Sequence, residues 1–178
     1  MVEGSTEADL MAACAAFANR PRAIPVITPV VDIISGFVAL VPSAASGTLN
    51  ALAQDCVAAF DQFRKAMTEK DRARRNPAAL TARQIAQLDR WGYPYVMDDF
   101  RFHMTLTGRL ADQRAADIAA QLRHRFAALD LKTLRIDTIS LFRQMDPASG
   151  FQNLNQFPLR AAEAKHGAGV TDNGVATV

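Results

Sequence analysis

The chain has 178 residues, 20 Lys and Arg against 18 Asp and Glu, and a formal charge of +2. That length suits a single domain with a sizeable core, and so small a charge gives no argument for nucleic-acid binding by itself. No apolar run approaches the roughly 20 residues a membrane helix needs, and Met1 to Ser5 lacks a basic stretch leading into an apolar one, so neither a membrane span nor a signal peptide is expected.

Thr6 or Ser5 can cap a first helix running to about Asn19, with Glu7 and Asp9 in its first turn and Leu10, Cys14 and Phe17 at helical spacing. Ile24 to Ile34 is rich in Val and Ile and reads as a strand. Ser35-Gly36 turns the chain, and Phe37 to Val41 returns as the second strand of a hairpin. After a loop, Thr48 to Arg64 reads as an amphipathic helix. Met67 to Leu80 is polar and broken by Asn76-Pro77, which suggests a short helix and an exposed loop. The basic residues Arg64, Lys65, Lys70, Arg72, Arg74 and Arg75 fall around it, interleaved with Glu69 and Asp71, and read as a solvated face before an anion-attracting rim. Thr81 caps a helix over Ala82–Trp91 that stops at Gly92. A strand follows around residues 100–107, then a helix over Ala111–Leu129. A long strand covers Leu131–Arg143, with Leu134, Ile136, Thr138, Ser140 and Phe142 on one face, and a last strand covers Phe151–Leu159. From Ala161 onward the Gly- and Ala-rich sequence lacks a core pattern and reads as a disordered tail, which leaves 1–160 as one domain. This order gives an α+β fold with helices packed on antiparallel sheets.

The two cysteines, Cys14 and Cys56, lie in Ala-rich helical patterns that suit reduced thiols and a cytoplasmic location. Neither zinc-type spacing nor a Cys-x-x-Cys occurs, so no metal and no cofactor is expected.

The segment Arg101-Phe102-His103-Met104-Thr105-Leu106-Thr107 alternates polar and apolar residues. In a strand, successive side chains alternate faces, so Arg101, His103, Thr105 and Thr107 would share one face and Phe102, Met104 and Leu106 the other. A cation, an imidazole and two hydroxyls in a row suit an anionic ligand. An unperturbed imidazole titrates at about 6.5, near enough to neutrality to give or take a proton. A hydroxyl about 7 Å along the strand can hold a phosphoryl oxygen while the imidazole addresses the attacking or leaving oxygen. His103 and Thr105 are therefore the candidate catalytic pair, with Arg101 and Thr107 beside them. Tyr93 and Tyr95 can stack on a base or ribose, and Arg143 ends a strand that could reach the same cleft.

The combination Arg90-Trp91-Gly92-Tyr93-Pro94-Tyr95 with Phe100-Arg101-Phe102-His103-Met104-Thr105-Leu106-Thr107-Gly108-Arg109-Leu110 resembles a bacterial phosphonate-metabolism protein family. That family sits within the two-histidine phosphoesterases, alongside the RNA-ligase-like (LigT-like) cyclic phosphodiesterases. Gly36-Phe37-Val38-Ala39-Leu40-Val41-Pro42 also fits, and the resemblance runs to about Leu159. It implies a bilobal, pseudo-symmetric fold in which two His-x-Thr/Ser motifs flank a cleft, one histidine acting as base and the other as acid. Only one such motif is present. His124 is followed by Arg125-Phe126 and His166 by Gly167-Ala168. Relatives carry the first motif in a strand ahead of the helix that here begins near Ser5, so the resemblance implies an N-terminally truncated form, lacking one proton-transfer group. The expected function is hydrolysis of a cyclic phosphate ester in phosphonate or nucleotide metabolism, weakened or lost without the first histidine. A non-catalytic module binding phosphate groups or RNA ends is the alternative. The expected partner is a phosphate-bearing small molecule ahead of RNA, with no membrane, and a strand edge left uncovered would allow a homodimer.

Overall fold

A computed structural model describes residues 2–146 and 148–163. Its elements, in chain order, are α1 (Glu7–Ala18), β1 (Val26–Ile27), β2 (Pro29–Ile34), β3 (Phe37–Pro42), α2 (Gly47–Phe60), α3 (Glu69–Ala73) and α4 (Ala82–Trp91). After these come β4 (Met104–Thr105), α5 (Asp112–Ala127), β5 (Leu134–Arg135), β6 (Thr138–Arg143) and β7 (Gln152–Pro158). The fold is α+β with antiparallel sheets: β1 pairs β5, β2-β3-β4 form a three-stranded sheet, and β6 pairs β7. No helix among the described residues is long and apolar enough to cross a membrane.

Local chemistry sets most helix ends. Thr6 and Asp9 form a reciprocal capping box at α1, and Thr81 with Gln84 forms another at α4. Gly92 ends α4 in the left-handed conformation, φ +75°, its N–H returning to the Leu88 carbonyl at 2.8 Å. The helix expected over Thr48–Arg64 starts one residue earlier, because the Ser46 hydroxyl accepts the Leu49 N–H, and ends at Phe60 in a 3₁₀ turn over Asp61–Phe63. The β2–β3 hairpin turns on Ser35 and Gly36, both at positive φ, the geometry that matches strand twist.

Two cores result. Cys14, Phe17 and Ala18 of α1, Leu52 of α2, and Phe157 and Leu159 around β7 form one. Val31, Val38 and Ala119 form the other, where α5 covers one face of β2 and β3. Burial pushes the Cys56 thiol up to about 11, which keeps it protonated and unreactive near neutrality.

Two expected strands are broken. Ile24–Ile34 divides at Thr28, where Pro29 withholds an N–H and the chain passes from the β1–β5 pair to the β2–β3 sheet. Leu131–Arg143 divides at Ile136-Asp137. The Ile136 N–H turns to the Pro25 carbonyl and the Asp137 carbonyl takes the Leu159 N–H. The break shifts the side-chain phase by one residue, so Ile139 and Leu141 pack on the first core and Phe142 is 53% exposed. One shared face from Leu134 to Phe142 therefore does not form. At the C-terminal end Ala161 bridges to Arg22 and the Ala162 N–H reaches the Arg22 carbonyl, while the tail beyond residue 163 lies outside the described residues.

Phe17 is 2% exposed, packs on Phe60 with ring centroids 5.3 Å apart, and carries the Arg22 guanidinium 4.1 Å from its ring centre. Phe17→Ala should cost about 3–5 kcal/mol in urea unfolding. Phe142→Ala should change stability by no more than about 0.5 kcal/mol. Equal costs would contradict the phase shift in β6.

Candidate functional site

The site is built where the chain leaves α4 and returns to the β2–β3 sheet. Tyr93 and Tyr95 flank the buried Pro94, their rings edge to face with centroids 5.7 Å apart. A 3₁₀ turn over Met97–Asp99 follows, entered through Met97 at φ +50°, a conformation an unbranched L residue adopts only when its surroundings impose it. Asp99 supplies part of that constraint. Its carboxylate accepts both Nε (2.8 Å) and Nη2 (2.9 Å) of Arg83 and a longer bond from Gln84, which anchors the turn to α4. The Arg83 hydrogen bond holds the Asp99 carboxyl below the usual carboxylate range.

Residues 101 to 105 then run outward. Arg101, His103 and Thr105 are exposed, and Phe102 and Met104 are half-buried. The strand itself is only Met104–Thr105, paired with Leu40 and Ala39 of β3. The alternation expected through Thr107 does not continue. The Leu106 N–H still reaches the Val38 carbonyl at 2.8 Å, but its side chain is 44% exposed and Thr107 turns inward. The Thr107 hydroxyl accepts the Val38 N–H at 3.1 Å and donates to the Gly108 carbonyl at 2.8 Å. Thr107 is thus a strand-end fastener, and its hydroxyl is not presented beside His103.

His103 has a defined orientation. Its Nδ1 lies 2.7 Å from the Arg101 carbonyl oxygen. A carbonyl can only accept, so this contact requires a proton on Nδ1, and in the neutral ring that leaves the lone pair on Nε2. His103, Arg101, Tyr93 and Tyr95 line one cavity of about 280 Å³, closed by Ile34, Gln84, Asp99 and Phe100. Arg101 also lines a neighbouring cleft of about 440 Å³, walled by β2, by residues 41–46 and by the start of α2. The structure therefore gathers four of the residues singled out from sequence. Thr105 is exposed two residues beyond His103, opposite the buried Ala39.

Arg143 is not brought there. Its Nη1 pairs with Glu7 of α1 at 3.0 Å, on the β6–β7 side of the molecule. His124 is exposed in the last turn of α5, and His166 lies outside the described residues. Asp99, Arg83 and Gln84 are the contributors that sequence reading missed. Their only signal was an acidic pair just ahead of the alternating segment. No group of three or more His, Cys, Asp or Glu side chains with metal-binding geometry occurs among the described residues.

These placements separate two threonines with the same chemistry. Thr107→Val leaves the Val38 N–H without its acceptor and should cost about 1–3 kcal/mol in urea unfolding. Thr105→Val should stay within about 0.5 kcal/mol of the parent chain. Comparable losses would contradict the inward turn at Thr107.

Two curated relatives match over most of the chain. The chain is 35% identical over 163 residues to a protein of Janthinobacterium sp. (strain Marseille) named ribose 1,5-bisphosphate phosphokinase PhnN, covering 89% of this chain and 36% of that protein. It is 28% identical over 153 residues to a protein of the same name from Laribacter hongkongensis (strain HLHK9), covering 85% and 35%. The chain thus spans about a third of the length of these relatives. No solved structure matches it. Residues 1–152 match the family described as protein of unknown function (DUF1045), and the chain belongs to that family.

Proposed function

We propose that the His103 cavity is half of a phosphodiesterase site, that of a two-histidine phosphoesterase acting on the cyclic phosphate of a sugar-containing small molecule. The observation that carries this reading is the contact of His103 Nδ1 with the Arg101 carbonyl. With Nδ1–H held by the Arg101 carbonyl, Nε2 is free to take a proton from a water attacking phosphorus. The carbonyl then stabilises the imidazolium as it forms, the role an acceptor behind a catalytic histidine plays in other hydrolases.

The reaction balances simply. Water adds to phosphorus, its proton passes to His103 Nε2, one ester P–O bond breaks, and a second group protonates the departing sugar oxygen to leave a phosphate monoester. Arg101 offsets charge on the phosphoryl oxygens, and Thr105 is close enough along the chain to donate to one of them. In this reading the second proton donor is the other imidazole of a two-histidine site, as the family resemblance implies. The two helix-on-sheet units, α1 and α2 on β6–β7 and α5 on β2–β3, support the bilobal arrangement. Tyr93 and Tyr95 offer ring faces and edges to a sugar or base.

The relatives' name supports a sugar-phosphate substrate, in phosphonate or nucleotide metabolism. Their kinase activity is not carried over, because the chain spans about a third of their length and contains no Gly-x-x-x-x-Gly-Lys-Ser/Thr loop to cradle nucleotide phosphates.

The test is hydrolysis of a 2′,3′-cyclic nucleotide by a form extended at the N-terminus to carry the first His-x-Thr/Ser motif, beside this chain. His103→Ala in the extended form should lower kcat about 10²–10⁴-fold, the usual contribution of a positioned acid or base. Turnover unchanged in His103→Ala, with the phosphate ester still cleaved, would overturn the assignment.

A further inference from the structure

A third cavity opens beside the His103 cavity, and its lining is strongly cationic. Arg64, Lys65, Arg74 and Arg75 surround a cleft of about 410 Å³, with Asp71 the one carboxylate among its lining residues. The charges are unequally answered. Arg64 is fixed by Asp61 at 2.8 Å and by the Arg90 carbonyl at 3.1 Å, so it forms a rigid wall. Asp71 gives Oδ2 to the N–H and hydroxyl of Thr68, and its Oδ1 makes a long ion pair of 4.0 Å with Arg74. Lys65 makes no ion pair among the described residues. Among the described residues Lys65 and Arg75 thus face the concavity with no ion pair and Arg74 with only a long one, and such an arrangement concentrates anions.

The two cavities meet at consecutive residues. Gly92 lines the cationic cleft and Tyr93 lines the His103 cavity. Arg75 spans the junction, its guanidinium 4.9 Å from the centre of the Tyr93 ring. Gly92 is needed there twice over. It sits at φ +75°, and a Cβ would come within 3.2 Å of the Arg64 side chain. The turn that ends α4 thus brings the cationic wall and the aromatic ring to one spot.

We propose that this cleft is a second anion site, and that it holds a phosphate monoester at the far end of the same small molecule whose cyclic phosphate lies against His103. The sugar between them would rest on Tyr93. This rests on the phosphodiesterase reading for the identity of the molecule, while the anion site itself rests on the cleft alone. A small phosphate ester is favoured over RNA because the cations line one concavity instead of a stripe along the surface, and because the whole chain carries only +2.

The experiment is calorimetric titration of the 178-residue chain with ribose 5-phosphate, and with ribose as the uncharged control. Ribose 5-phosphate should bind and ribose should not. Lys65→Glu and Arg74→Glu, both on exposed side chains and checked for unchanged melting, should each weaken binding at least about tenfold, as expected for loss and reversal of a charge-assisted contact. Arg143→Gln, a cation on the β6–β7 side of the molecule, should bind like the parent chain. Equal binding of ribose and ribose 5-phosphate, or binding indifferent to Lys65 and Arg74, would overturn the proposal. So would capture of a single-stranded oligoribonucleotide by a chain that ignores ribose 5-phosphate. Charge-sensitive ribose 5-phosphate binding without turnover by the extended form would sink the phosphodiesterase reading alone. Turnover lost in His103→Ala, with binding indifferent to Lys65 and Arg74, would sink the second site alone.

Discussion

The catalytic reading of this protein depends on a short length of backbone pairing. Met104–Thr105 meets Leu40–Ala39 of β3, and one further bond joins Leu106 to Val38. That contact fixes where His103 leaves the sheet. Two residue pairs are too few to hold a strand in register unaided. The register is secured at both sides of the pairing: at its end by the Thr107 hydroxyl bridging Val38 and Gly108, and ahead of it by Asp99 tied to Arg83 and Gln84 of α4. Val38 and Ala39, the β3 residues at the centre of this arrangement, are both fully buried. The candidate site is thus carried on rigid backing, while its chemistry-bearing side chains face outward.

The polar contacts around the site act mainly by positioning. Arg83–Asp99, Arg72–Asp89 and Arg90–Asp61 are surface pairs with at least one solvated partner, and such pairs add little to stability. Stability comes from the two apolar cores. What the ion pairs do is connect α4 to its flanking segments, with Asp61 joining Arg64 and Arg90 on one side and Asp99 joining Arg83 on the other. The result is that the Tyr93–Tyr95 segment, the His103 cavity and the cationic cleft share one support.

Features governed by local chemistry were readable in the residues. The bounds of α4 follow from Thr81 and Gly92, and the hairpin turn from Ser35-Gly36, because caps and tight turns depend on a few neighbouring atoms. The alternation from Arg101 to Thr105 was readable for the same reason. Features set by distant partners were not. The break at Ile136-Asp137 is made by backbone groups of Pro25 and Leu159, and the inward turn of Thr107 by the Val38 N–H. Arg143 reads as a free cation until Glu7, 136 positions away, is placed against it. Likewise the basic residues from Arg64 to Arg75 look like a solvated face in one dimension and close into a cleft only when α3 folds back beside Gly92. Of the candidate site, Tyr93, Tyr95, Arg101 and His103 were legible as types and the structure gathers them. The carboxylate that braces them was not.

The central claim is that His103 presents an unprotonated Nε2 to a phosphate ester, and a long-range ¹H–¹⁵N correlation spectrum of the imidazole tests it most directly. Above the histidine titration range, His103 should show the Nδ1–H pattern that the Arg101 carbonyl requires, and its Nε2 resonance should move on titration with 2′-AMP, a phosphate monoester of the kind the reaction would release. An Nε2–H tautomer, with a resonance indifferent to 2′-AMP, would contradict the account.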